Sequence, residues 1–128
     1  MGKVARARES VQNYLDRKGI DVGPEGIERP WDGGKKININ LRGKKISVGR
    51  RHDVYDKKTD TAYEIKNYSS DNVSLSLDVE RELLLDVELL KKGQISRVVW
   101  VFEGKGPSAP LRKSLEEYRK KYNIEIQP

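Results

Sequence analysis

Apolar residues recur along this chain with two periods, and the change of period marks the change of element. Val4, Ala7, Val11, Tyr14 and Leu15 fall at helical spacing ahead of Gly19, so residues 4–18 read as an amphipathic helix. Residues 21–34 are rich in Gly, Pro, Asp and Glu and read as a loop. The segment Lys36-Ile37-Asn38-Ile39-Asn40-Leu41 alternates strictly, which predicts a half-buried strand. Residues 42–45 make a turn, residues 45–56 a second strand bent at Gly49, and residues 61–68 a third. Ser69-Ser70-Asp71-Asn72 is a run of capping residues before a long periodic stretch, residues 73–92, which predicts a well-buried helix closed by Gly93. RVVWVF at residues 97–102 is continuously apolar, as in a strand covered on both faces. Residues 109–122 return to helical spacing, and Ile124-Glu125-Ile126 is a short last strand.

The expected order is therefore helix, three strands, helix, strand, helix, strand. Three strands joined by short turns suit an antiparallel meander. The strand after the long helix suits a crossover parallel to the third. This is an α/β chain with a mixed sheet flanked by helices on both faces. No repeat or low-complexity linker divides it, and residues 1–128 read as one domain.

Composition narrows the chemistry. Hydrophobic residues are only 35% of the chain, enough for one sheet with a few helices. The absence of cysteine excludes disulfides and thiolate-bound zinc, and a single histidine excludes His-rich metal sites. No apolar run reaches membrane-spanning length and no signal-peptide pattern opens the chain, so no membrane anchor is expected. The net charge of +6 suits a polyanionic partner, nucleic acid or an acidic protein.

The chemistry concentrates in RRHDVYDKKTDTAYEIKNY, residues 50–68. A four-residue turn at Lys57-Lys58-Thr59-Asp60 sets Asp56 opposite Thr61 and Asp53 opposite Glu64. Period-two alternation puts Glu64 and Lys66 on one face with Asp53 and leaves Asp56 out. Two facing carboxylates repel unless a cation lies between them. Mg²⁺ suits the gap, since it is held by one or two carboxylates plus substrate phosphates. Lys66 would activate the attacking water or steady charge on the phosphate. The alternative is a solvated cross-strand salt-bridge cluster. Val54, Tyr55, Ala62, Tyr63 and Ile65 between the charges favour buried strands, where unpaired charge is rare.

With Asp53 followed by Glu64-Ile65-Lys66 in this order of elements, the chain resembles the PD-(D/E)XK, or restriction-endonuclease-like, nuclease superfamily. The resemblance implies that family's αβββαβ core. It implies catalytic roles for Asp53, Glu64 and Lys66, with Asp53 and Glu64 binding Mg²⁺ or Mn²⁺, and a phosphodiesterase acting on DNA or, alternatively, tRNA or other RNA. The small basic format is similar to toxin domains of bacterial contact-dependent inhibition and polymorphic toxin systems. That implies delivery within a larger secreted effector, action in a bacterial cytoplasm, and a cognate immunity protein. A catalytically inactive nucleic-acid- or protein-binding domain is the competing function.

Many family members add a glutamate from the first helix. Glu9 is the candidate, but it points away from the apolar stripe and reads as a surface residue. Glu25 and Glu28 are unsupported alternatives. Parity sends His52 to the sheet face opposite Asp53. Trp100 reads as core, and Trp31 as core or as a base-stacking residue. The pairs Lys35-Lys36, Lys44-Lys45, Arg50-Arg51 and Lys57-Lys58 are expected at strand ends. There they would form a phosphate-contacting rim if they share one edge.

Overall fold

The computed structural model describes residues 3–30 and 34–127. Its elements are α1 (Lys3–Lys18), a 3₁₀ turn (Pro24–Gly26), β1 (Ile27–Pro30), β2 (Ile37–Leu41), β3 (Lys44–Val48), β4 (Arg51–Asp56), β5 (Thr61–Lys66), α2 (Leu77–Lys91), β6 (Arg97–Phe102), α3 (Ala109–Arg119) and β7 (Ile124–Gln127). The protein is mixed α/β. Strands β1-β4-β5-β6-β7 form a five-stranded sheet, and β2-β3 a separate hairpin. Within the sheet β1, β4 and β5 are antiparallel neighbours, while β6 runs parallel to β5 and β7 parallel to β6.

The expected meander is thus rearranged. The predicted second strand is two strands, β3 and β4, divided at Gly49-Arg50. A Cβ on Gly49 would lie 3.2 Å from the Gly34 carbonyl oxygen, so two backbones pass closely where the chain turns. The first predicted strand pairs only with β3, outside the main sheet. Its place is taken by β1, in the segment read as a loop. β1 carries little apolar signal, ends in Pro30 and owes its existence to pairing with β4 at the sheet edge.

The long helix also starts later than its periodicity suggests. Ser76 caps it, its side chain accepting from the Val79 amide, while Val73 bridges to Pro107 in extended form. The β6 and β7 assignments and the parallel crossover agree with the pattern.

Alternation along the strands divides the core. Val54, Tyr63, Ile65, Val99 and Val101 pack against Val11, Tyr14 and Leu15 of α1. The opposite residues, Ala62, Val98, Trp100 and Phe102, pack beneath α2, α3 and the β2-β3 hairpin. Trp100 is fully buried. Trp31 and the side chains of Val4 and Ala7 lie outside the described residues. Among those residues, no helix is long and apolar enough to cross a membrane.

Candidate active site

The β4–β5 ladder joins Asp56 to Thr61, Tyr55 to Ala62 and Val54 to Tyr63, the register set by a four-residue turn. Asp56, the last residue of β4, closes onto that turn, its Oδ1 accepting from the Lys58 amide. Beyond Val54 the ladder ends, and a side chain takes over: Asp53 Oδ2 accepts from the Ile65 amide at 2.7 Å. This holds Asp53 beside Glu64, near enough for the charge of Glu64 to act on it. Lys66 follows on the same face, its Nζ 3.2 Å from Glu64 Oε2. Asp53, Glu64 and Lys66 are therefore together. Glu9 is exposed on α1 and borders a different depression with Pro24 and Ile27.

Helix α2 supplies two further acids that periodicity alone did not single out. Glu82 Oε1 accepts from Lys66 Nζ at 2.8 Å. Asp86, one turn on, is completely buried. Its Oδ1 accepts from Arg50 Nε (2.9 Å) and His52 Nε2 (2.6 Å), and its Oδ2 from Arg50 Nη2 (3.2 Å) and Trp100 Nε1 (3.1 Å). Arg50 Nη2 also donates to Glu64 Oε1 at 2.9 Å, and its Nη1 to the Arg51 carbonyl at 2.7 Å. A buried guanidinium thus ties the candidate Glu64 to a helix. Its planar fork makes these bonds at fixed angles.

Two expectations fall here. Arg50 is no phosphate-contacting rim residue: it is 3% exposed and its donors are directed inward. His52 does not face away from the site, because it bonds Asp86 on the α2 side. The β4–β5 pairing on which the parity expectation rested stops at Val54, and His52 is paired with Arg29 of β1 alone. Nor do the basic pairs share one rim. Lys57 and Lys58 occupy the β4–β5 turn, at the opposite end of β5 from Lys66.

The electrostatics follow from burial and neighbours. Burial, then the charge of Glu64, pushes the Asp53 carboxyl up to about 7, against the opposing pull of the Ile65 amide and Lys66. Burial would also raise Glu64, but Arg50 and then Lys66 overcome it and hold Glu64 below the usual carboxylate range. Burial and the charge of Glu64 raise Glu82 in spite of Lys66 and Arg50. Burial opposes charge on Lys66, yet Glu64 and Glu82 carry it above the ordinary lysine value. Asp86 is ionised because Arg50 and His52 outweigh its burial. The His52 Nε2 facing it therefore carries a proton.

Compared with known proteins, the chain matches no family model, no curated protein and no solved structure.

Among the described residues, no three His, Cys, Asp or Glu side chains are grouped to enclose a metal ion. Asp53 and Glu64 fit the smaller requirement of Mg²⁺, which keeps several waters and takes further oxygens from substrate phosphates. Burial is the larger cause of the rise at Asp53, and the repulsion from Glu64 that adds to it is what a cation between the two carboxylates would relieve. One signal for Asp86 was visible: it falls at helical spacing on the stripe of Val79 and Leu83. A carboxylate on a buried stripe needs a cationic partner. Arg50, placed in a basic pair, gave no sign of being that partner.

Proposed function

We propose that this protein is a metal-dependent nuclease whose working groups are Asp53, Glu64 and Lys66. The observation that carries the reading is the under-neutralised carboxylate pair: Asp53 lies against Glu64 with its proton held up to about 7, beside a fixed ammonium. The order of elements lends support. With the β2-β3 hairpin set aside, α1, β1, β4, β5, α2 and β6 follow one another as αβββαβ, with β6 parallel to β5. That is the order of the restriction-endonuclease-like core.

Asp53 and Glu64 would hold Mg²⁺ or Mn²⁺, which when bound supplies Lewis-acid stabilisation of the phosphate and a more acidic water. Arg50, clamped by Asp86, fixes one oxygen of Glu64. Lys66 stays protonated between two carboxylates, so it serves as a positive hydrogen-bond donor to phosphate or water and not as the general base. DNA is the favoured substrate, and the setting is a toxin delivered into bacterial cytoplasm and restrained by an immunity protein.

One observation favours the second reading, a non-catalytic binding domain. Glu64 already has a cation on each oxygen, Arg50 on Oε1 and Lys66 on Oε2. Incubating the purified protein with plasmid DNA and total tRNA separates the two. The nuclease reading expects cleavage in Mg²⁺ or Mn²⁺ that EDTA stops. Intact DNA and RNA in both metals would leave the binding domain.

A further inference from the structure

Nearly every described arginine has a partner. Arg17, Arg42, Arg50, Arg81, Arg97 and Arg119 each meet a carboxylate, and Arg51 donates to the Glu28 carbonyl. Among the described residues, the Arg112 guanidinium makes no hydrogen bond or ion pair, and neither does the Lys105 ammonium. Both border the same crevice of about 480 Å³, together with Phe102, Gln127 and the Arg119–Glu116 pair. The crevice therefore carries two uncompensated cations.

Its position connects it to the cluster described above. It opens at the C-terminal ends of the parallel strands β6 and β7, the end at which open α/β sheets take ligands. Phe102, in its wall, is the register partner of Lys66. The following loop is zipped to the chain beyond Lys66: Glu103 N donates to the Lys66 carbonyl (2.9 Å) and Lys105 N to the Tyr68 carbonyl (2.8 Å). A Cβ on Gly104 would lie 2.1 Å from the Tyr68 oxygen, so only glycine permits this approach. The crevice thus begins one strand from Lys66, about 4.8 Å in a sheet.

We infer that this crevice carries the phosphate backbone of a nucleic-acid strand past the Asp53–Glu64–Lys66 cluster, with Arg112 and Lys105 as its contacts. The choice of nucleic acid as the polyanion rests on the nuclease reading. An unpaired guanidinium offers phosphate two parallel N–H bonds, and an ammonium adds a point charge.

Fluorescence anisotropy of a labelled single-stranded oligonucleotide in EDTA tests this without cleavage. The double variant Lys105→Ala/Arg112→Ala is expected to bind about tenfold more weakly, with a salt slope reduced by about 1.4, at about 0.7 per lost phosphate contact. Both residues are exposed, so the fold should persist. Lys91→Ala/Lys92→Ala removes the same charge at the other end of α2 and should stay within about twofold of the wild type. Equal losses in both double variants, or an unchanged slope in the first, would overturn the inference. So would a wild type that binds no oligonucleotide at low salt, which would leave an acidic protein as the ligand. If the first variant alone loses binding and the wild type never cuts in Mg²⁺, the crevice stands and the nuclease reading falls. If the wild type cuts and that variant binds normally, only the crevice inference falls.

Discussion

The two faces of the central sheet are made by the same strands and differ in kind. Toward α1, Val54, Tyr63, Ile65, Val99 and Val101 form an uninterrupted apolar layer. Toward α2, the apolar set of Ala62, Val98, Trp100 and Phe102 is interrupted by Glu64, Arg50, His52 and Asp86, all buried. Burial alone accounts for the first face. On the second, charges are removed from water at considerable cost and are satisfied chiefly by one another, with the Arg51 carbonyl and the Trp100 indole completing the set. A fold seeking stability alone could fill that space with apolar residues. Under the proposed function, the α2 face is the one shaped by chemistry.

The largest effect expected from this contrast is at Asp86. Asp86→Ala leaves the buried Arg50 without its main partner and should destabilise by about 3–5 kcal/mol in urea unfolding. Leu15→Ala on the other face should cost about 2–5 kcal/mol, so stability barely distinguishes the two. Cleavage per folded molecule does: it should fall in Asp86→Ala, where Arg50 no longer fixes Glu64, and hold in Leu15→Ala. Equal activity in both would erase the contrast.

Next comes a pH effect with a definite sign. Folded Asp53 keeps its proton to about 7, whereas the unperturbed carboxyl loses it near 3.8. Between those values the folded state binds more protons, so this group lowers stability as pH rises across the window and adds no further slope above it. Asp53→Asn should therefore melt higher than the wild type at about pH 8 and close to it at about pH 4. Saturating Mg²⁺ at the higher pH should raise the wild-type melting temperature by mass action and leave Asp53→Asn unmoved. A wild type indifferent to Mg²⁺ would remove the cation from the account.

The smallest effect is expected from Ile65→Val, beside Glu64 in sequence but on the apolar face. It should cost about 0.5–1.5 kcal/mol and leave cleavage unchanged. A large loss of activity there would mean the faces are not separable.

How much of this was legible follows from the range of each interaction. The β4–β5 hairpin was, because a polar turn and a period of two determine which residues face each other; hence Asp53 rather than Asp56. RVVWVF was legible because a strand buried on both faces has no polar positions. β1 was not, since Ile27-Glu28-Arg29-Pro30 is a strand only through its neighbour β4. Nor was Arg50: beside Arg51 it looks like surface charge, and only Asp86, 36 residues away, explains its burial. Glu82 reaches Lys66 across the same gap between sheet and helix. His52 was misplaced because parity was counted as though β4 and β5 stay paired past Val54, where their ladder ends.

The most direct measurement compares cleavage by the wild type and Lys66→Ala in Mg²⁺, with folding checked by circular dichroism and nucleic-acid binding by anisotropy. The account predicts that Lys66→Ala remains folded, binds nucleic acid as the wild type does, and cuts at least about 100-fold more slowly. A folded Lys66→Ala that cuts at the wild-type rate would contradict it.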